Sequence, residues 1–172
     1  AKNPAVSIAY PLSRFITMIR GRQSKAGLLN KLMFGGFNKG IQNPKTKFDW
    51  LSYNEENVQK YIEDPLCGFG PNNGFCLEFL KGLNRLYKHR FLQKIRKDID
   101  VLIISGAEDP VSKFGKDVAK LEKMYKKYGL TNVQTKLYEG MRHEILNENN
   151  NGVVYQDVIN FFKSEIDKKK KI

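Results

Sequence analysis

Two short apolar segments, each followed by a polar turn, constrain the fold of this chain more than any other feature. Residues 99–104 end at a turn that contains Asp109, and residues 133–138 end at a turn that contains His143. The pattern between them, at residues 117–128, predicts an amphipathic helix, and residues 153–166 predict a closing helix. This β-α-β-α order predicts two parallel strands joined by a crossover helix, and therefore an α/β fold.

Asp109 and His143 are the candidate site residues. Chemistry gathers at the carboxyl ends of parallel strands, so we expect the Asp109 carboxylate within hydrogen-bond reach of the His143 imidazole. An acid that orients a histidine base makes up two members of a nucleophile–histidine–acid triad. Each residue alone has a structural interpretation, because Asp-Pro is a common turn former and a single loop histidine is usually a surface residue. Their placement after successive strands favours the functional interpretation.

The chain divides at about residue 98. The pattern of residues 1–97 is helical and irregular, whereas residues 98–172 carry the β-α-β-α pattern. Two parallel strands alone make a poor sheet, so the second part is predicted to be the edge of something larger. Within the first part we predict helices at residues 12–19, 25–34, 52–62 and 75–92. The third is opened by the capping-box spacing of Ser52 and Glu55.

The formal net charge of +12 raises the possibility of nucleic-acid binding. The lysines are scattered, however, and only residues 168–171 form a run, so we expect no nucleic-acid partner and at most peripheral contact with an anionic membrane surface. Cys67 and Cys76 are too few for a disulfide framework or a zinc site, which predicts free thiols and a cytoplasmic location. No apolar segment reaches the roughly 20 residues of a membrane span, and no secretory signal is present.

Four segments resemble the α/β-hydrolases, in the branch of the bacterial lysophospholipases and monoacylglycerol lipases. Residues 103–111 (IISGAEDPV) and 136–148 (KLYEGMRHEILNE) resemble the acid and histidine segments, and residues 48–52 (FDWLS) and 61–69 (YIEDPLCGF) resemble the cap. The resemblance implies that Asp109 is the triad acid and His143 the general base. It also implies a helical cap over residues 1–97, followed by the C-terminal part of a three-layer core; within that cap we expect Trp50 to pack rather than to contact substrate. No cofactor or metal ion is implied.

The chain departs from this family at the nucleophile. Members carry a G-x-S-x-G elbow before the acid and the histidine, and none of the glycines here begins that motif or G-x-C-x-G. Ser105 lies inside the acid segment and is not an elbow serine. We therefore interpret the chain as the C-terminal half of a serine hydrolase, and expect its partner to be the missing N-terminal half or another copy of itself.

Three functions remain open at this stage. The chain is part of a serine hydrolase that cleaves lipid-like carboxylic esters, a non-catalytic binding or assembly module on the same scaffold, or a polyanion-binding protein. An upstream G-x-S-x-G in the same reading frame would distinguish the first from the second. A steep salt dependence of nucleic-acid binding would support the third.

Overall fold

A computed structural model of the chain describes residues 4–170. Its regular elements, in chain order, are α1 (Pro4–Arg20), α2 (Gly27–Phe34), a 3-10 turn (Phe37–Gly40), α3 (Glu55–Glu63), α4 (Asn73–Leu86), α5 (His89–Leu92), β1 (Val101–Gly106), α6 (Lys116–Lys127), β2 (Val133–Tyr138) and α7 (Gly152–Lys170). They form two compact units. None of the helices within residues 4–170 is long and apolar enough to cross a membrane.

The first unit consists of residues 4–36 and Pro65–Arg96 and is helical. Its main contact is the packing of α1 along α4, with α2 beside α4. The core contains Ala26, Leu29 and the free thiol of Cys76, with Ile16 and Met33 packed against them. Local sequence explains the end of α1, because Gly21 adopts a φ of 79°, which residues with a Cβ rarely adopt.

Three predicted helices differ from the observed ones, and the first of them, predicted at residues 12–19, extends from Pro4 to Arg20. The helix predicted at 75–92 is interrupted, because Lys88 is extended, so that α4 and α5 are separate. The guanidinium groups of Arg85 and Arg90 both lie over the Phe91 ring, 5.4 and 4.8 Å from its centroid, a contact that spans the break. The predicted capping box is also wrong: α3 begins at Glu55, and the Asn54 side chain caps it by accepting the N–H of Asn57.

The second unit consists of Phe37–Asp64 and residues 97–170 and contains the sheet. β1 and β2 pair in parallel, from Val101 opposite Val133 to Gly106 opposite Tyr138, and α6 connects them. The predicted β-α-β-α order is therefore confirmed. A core under the strand ends contains Met141, Val154 and other apolar side chains (Ile104, Tyr138, Ile145). One feature was not predicted: residues 37–64 pack with the strands rather than with the other helices that precede residue 97.

The last residue of β1 lies unusually close to the loop that follows β2. A Cβ atom added at Gly106 would lie 2.1 Å from the carbonyl oxygen of Arg142 and 2.3 Å from that of Met141. Contacts that short do not occur, so any side chain at this position would push the two loops apart. The absence of a side chain at Gly106 therefore sets the spacing between the acid loop and the histidine loop.

We predict that Gly106→Ala lowers the free energy of unfolding by about 1–3 kcal/mol, because the backbone of the histidine loop must move. Urea unfolding followed by circular dichroism measures this. The matched control is Gly152→Ala at the start of α7, where an added Cβ would meet no atom within 4 Å. Equal stability of the two variants would contradict the close approach.

Candidate active site

The site is built from the two loops that leave the parallel strands. Backbone hydrogen bonds hold these loops together, because the N–H of Ala107 donates to the Tyr138 carbonyl (2.9 Å) and the N–H of Glu108 donates to the Met141 carbonyl (3.0 Å). The residues that follow on each loop therefore emerge side by side. These residues are Asp109 and His143.

Asp109 and His143 are in contact. Nδ1 of His143 lies 3.2 Å from Oδ1 of Asp109, so the predicted proximity is confirmed. The carboxylate is also held in place by the N–H of Val111, which donates to Oδ1 at 2.8 Å. The Asp109 side chain is 7% exposed and the imidazole 39% exposed, which leaves the acid buried and the histidine accessible. Ser105 lies behind the acid, with its Oγ 3.5 Å from Oδ2 of Asp109.

The contact changes the proton affinity of the histidine. The hydrogen bond to Asp109 raises the pKa of His143 above its ordinary value of 6.5, although partial burial opposes this shift. The negative charges of Asp109 and Glu144 add to the increase. The Asp109 carboxylate accepts hydrogen bonds and faces Nδ1, so it favours the tautomer with the hydrogen on Nδ1 and leaves Nε2 to accept a proton. An acid that fixes the tautomer and stabilises the imidazolium is what general-base catalysis by histidine requires.

An aromatic pair lies against the histidine. The centroid of the Trp50 ring is 5.2 Å from that of His143, and the Phe37 ring packs against Trp50 at 4.8 Å. Trp50 therefore packs on another residue of the region predicted to form the cap, and it also packs against the candidate base, which the sequence did not predict.

The segment that contains Trp50 also binds the backbone around the histidine. The N–H of Glu144 donates to the carbonyl of Leu51 at 2.7 Å. The guanidinium of Arg142 donates to the carbonyls of Asp49 (2.7 Å) and Ser52 (3.3 Å). Residues 49–53 therefore hold the residues on both sides of His143, and we call this segment the brace.

A buried carboxylate completes the connection between brace and loop. Glu148 is 2% exposed and accepts hydrogen bonds from the Ser52 hydroxyl and from the backbone N–H groups of Tyr53 and Arg142. The Tyr53 hydroxyl in turn donates to the carboxylate of Glu108, the neighbour of Asp109. Glu148 lies within the histidine segment, but the sequence predicts no role for it, because no local pattern distinguishes a buried glutamate from a solvated one.

A cleft of about 630 Å³ borders the brace and is lined by Ile41, Gln42, Asn43, Lys45, Thr46, Asp49, Ser52, Tyr53, Glu55, Glu56, Val58, Gln59 and Arg142. Neither Asp109 nor His143 lines it. The contact between Asp109 and His143 therefore lies outside this cleft. Among residues 4–170, no three His, Cys, Asp or Glu side chains are grouped so as to hold a metal ion.

The parallel β-α-β unit and the comparisons with known proteins define the class of this chain as the α/β-hydrolases. Residues 2–150 match the family described as serine aminopeptidase, S33 (Hydrolase_4), and the chain belongs to that family. A comparison with curated protein sequences gave no significant match.

Several solved structures share the fold. A highly thermostable carboxyl esterase from Bacillus coagulans, in complex with glycerol, is 27% identical with a TM-score of 0.83, over 94% of this chain and 53% of the esterase. A monoacylglycerol lipase from Paleococcus ferrophilus is 22% identical with a TM-score of 0.59, over 92% and 52%. A soluble variant of a monoglyceride lipase from Saccharomyces cerevisiae is 19% identical with a TM-score of 0.56, over 90% and 51%. The chain thus spans about half the length of the structures it matches.

We predict that His143 titrates with a midpoint above 6.5 and that Asp109→Asn lowers this midpoint, because the hydrogen bond and the charge that favour the imidazolium are lost. Trp50 is the only tryptophan in the sequence, and its ring contacts the imidazole. A protonated imidazole quenches indole emission more strongly than a neutral one. The fluorescence of Trp50, recorded against pH, therefore measures the midpoint. Because the pKa of His143 is higher in the folded chain than in the unfolded chain, its contact with Asp109 contributes its full stabilisation below about pH 6.5. This contribution decreases as the pH rises through the pKa of His143 in the folded chain.

The matched control for this titration is Asp157→Asn. Asp157 accepts hydrogen bonds from Lys136 and Tyr138 and contributes nothing to the shift of His143. If Asp109→Asn titrates with the same midpoint as the control and the unmodified chain, Asp109 is not the residue that raises the pKa of His143. His143→Gln must abolish the transition, which shows that the fluorescence reports this residue.

Proposed function

We propose that this chain supplies the acid and the general base of a serine hydrolase that cleaves lipid-like carboxylic esters. The observation that carries the proposal is the 3.2 Å contact between Asp109 and Nδ1 of His143 at the ends of successive strands. Membership of a family described as serine aminopeptidases supports it. The nucleophilic serine comes from outside these residues, since no G-x-S-x-G occurs among them.

The proposed chemistry follows from the tautomer that Asp109 imposes. Nε2 of His143 takes the proton of the serine hydroxyl as the serine oxygen bonds to the ester carbonyl carbon. The imidazolium then gives this proton to the leaving alcohol, and the acyl group remains on the serine. A water molecule attacks the acyl-enzyme by the same route, with its proton passing to Nε2 and then to the released serine. Asp109 stays ionised and stabilises the imidazolium in both steps.

The ester is proposed over the peptide bond. The family description names an aminopeptidase, whereas the Bacillus coagulans structure is a carboxyl esterase with bound glycerol and two others are lipases of monoacylglycerols. The esterase is also the most similar of these three in both sequence identity and TM-score. We propose a monoacyl ester as the substrate class and residues 1–97 as the cap region of the fold.

The second unit presents surfaces that suit a further protein segment. Four side chains on α7 lie at helical spacing and are exposed: Tyr155, Ile159, Phe162 and Ile166. β1 pairs with β2 along one edge, and within residues 4–170 the sheet has only these two strands. An open strand edge and an exposed apolar helix face each favour association. We propose that an N-terminal segment with the nucleophile, or a second copy of the chain, covers them.

We predict that the purified chain forms a particle larger than its 19.9 kDa monomer, because the β1 edge and the α7 face bury apolar surface by association. Size-exclusion chromatography with light scattering measures the mass. Replacing Ile159 and Phe162 with lysine should shift the particle towards the monomer, whereas Lys163→Glu on the same helix serves as a control for charge alone. A monodisperse 20 kDa monomer of the unmodified chain would contradict this.

The functional test is hydrolysis of p-nitrophenyl butyrate. We predict no enzymatic turnover by the chain alone, because His143 has no serine to deprotonate. Adding an N-terminal segment with G-x-S-x-G from the same reading frame should restore turnover. In that assembly, His143→Ala and Asp109→Asn should each lower kcat by about 10³-fold or more.

Two results would contradict the functional proposal. Turnover by the chain alone that disappears in His143→Ala would reveal a nucleophile within these residues. Undiminished turnover of the assembly in His143→Ala would remove the histidine from its role. Amino-acid p-nitroanilides, assayed in parallel, test the ester against the peptide bond, and preferred cleavage of the anilides would overturn the substrate class.

A further inference from the structure

We propose that Glu148 is the positioning residue of this site, and that its buried carboxylate fixes the histidine loop on the brace so that the His143 imidazole meets Asp109. This proposal depends on the proposed function only for the role of His143 as the general base. The geometric claim, that Glu148 sets the contact between the histidine and its acid, is tested without any measurement of turnover.

The hydrogen bonds of Glu148 join two segments that are far apart in sequence. Oε1 accepts the backbone N–H of Arg142 at 2.8 Å, and this group directly precedes His143. Oε2 accepts the Ser52 hydroxyl at 2.8 Å, and the N–H of Tyr53 reaches Oε1 and Oε2 at 3.1 and 2.9 Å. One side chain thus binds the loop at the residue before the histidine and the brace at two consecutive residues.

The chemistry of the site calls for a carboxylate. All three partners of Glu148 approach as hydrogen-bond donors, and an ionised carboxylate is the side chain that only accepts. Glu148 is 2% exposed, so its hydrogen bonds lie in the interior. Truncation would leave the N–H groups of Arg142 and Tyr53 unsatisfied in the interior. A glutamine keeps part of this network: its oxygen can accept the N–H of Arg142 and, at the longer distance of 3.1 Å, that of Tyr53, while its amide donates to the Ser52 hydroxyl.

The consequence reaches the imidazole through the backbone. Glu148 holds the N–H before His143, and the Leu51 carbonyl holds the N–H after it, so the histidine is fixed on both sides by the brace. The ring itself is 39% exposed and contacts Asp109 on one side and Trp50 on the other. Without the hydrogen bonds of Glu148, the backbone N–H before His143 is no longer held, and only the N–H after it remains bound to the brace. The Nδ1 contact with Asp109, which depends on the position of the loop, then loosens.

The experiment measures the titration midpoint of His143 in the full chain. The readout is the histidine ring-proton NMR signal, with His89→Gln identifying the second histidine, and Trp50 fluorescence provides an independent measure. The charged groups that face His143 are Asp109 and Glu144, and both are unchanged in these variants. We expect Glu148→Ala to lower the midpoint, towards the value of a histidine without its acid. Glu148→Gln should restore part of the difference.

Two further variants separate positioning from general damage to the fold. Asp157→Asn, which removes a carboxylate bonded to Lys136 and Tyr138, should lower stability and leave the His143 midpoint unchanged. Ser52→Ala removes one of the bonds to Glu148 and should lower the midpoint by a smaller amount in the same direction. If Glu148→Ala does not fold, the comparison of Ser52→Ala with Asp157→Asn decides.

Positioning by Glu148 is overturned if Glu148→Ala, or Ser52→Ala where the former does not fold, titrates with the midpoint of the unmodified chain. It is also overturned if Glu148→Gln titrates as low as Glu148→Ala, because the charge rather than the hydrogen-bond geometry would then be responsible. Neither result depends on ester hydrolysis. A failure of the proposed function would show instead as an inactive assembly in which these midpoints still shift as expected.

Discussion

The parallel register of β1 and β2 is the constraint on which the rest of the site depends. It places Gly106 opposite Tyr138, so that the chain leaves both strands at the same edge. Two backbone hydrogen bonds and the absence of a side chain at Gly106 then bring the loops within atomic contact. A shift of this register by one residue would turn every strand side chain to the opposite face and separate Asp109 from His143.

The brace supplies what the strands alone do not. Strand ends fix where a loop begins, but the position of a side chain three to five residues later depends on what the loop contacts. Here residues 49–53 contact the histidine loop through backbone carbonyls, a tryptophan ring and the hydrogen bonds of Glu148. The Tyr53 hydroxyl extends the same network to Glu108 on the acid loop. The candidate acid and base are therefore held by one short segment about 90 positions before the histidine.

The sequence predicted the elements whose signals are local and missed those that depend on distant contacts. The alternation at residues 133–138 gave β2 at its observed bounds, and an acid and a histidine after successive strands were enough to predict their contact. The interruption at Lys88 has no glycine or proline to mark it. Neither the burial of Glu148 nor the packing of Trp50 on His143 leaves a pattern, because both depend on residues 37–64 joining the strands.

The central claim is that Asp109 holds His143 with its hydrogen on Nδ1 and leaves Nε2 to accept a proton. Nitrogen-15 NMR of histidine-labelled chain, recorded above the titration midpoint, distinguishes the two neutral tautomers directly. The structure predicts the Nδ1–H tautomer for His143, and predicts that Asp109→Asn reduces its population. Free imidazole side chains in water favour the hydrogen on Nε2. The same preference in His143 of the unmodified chain would contradict the account.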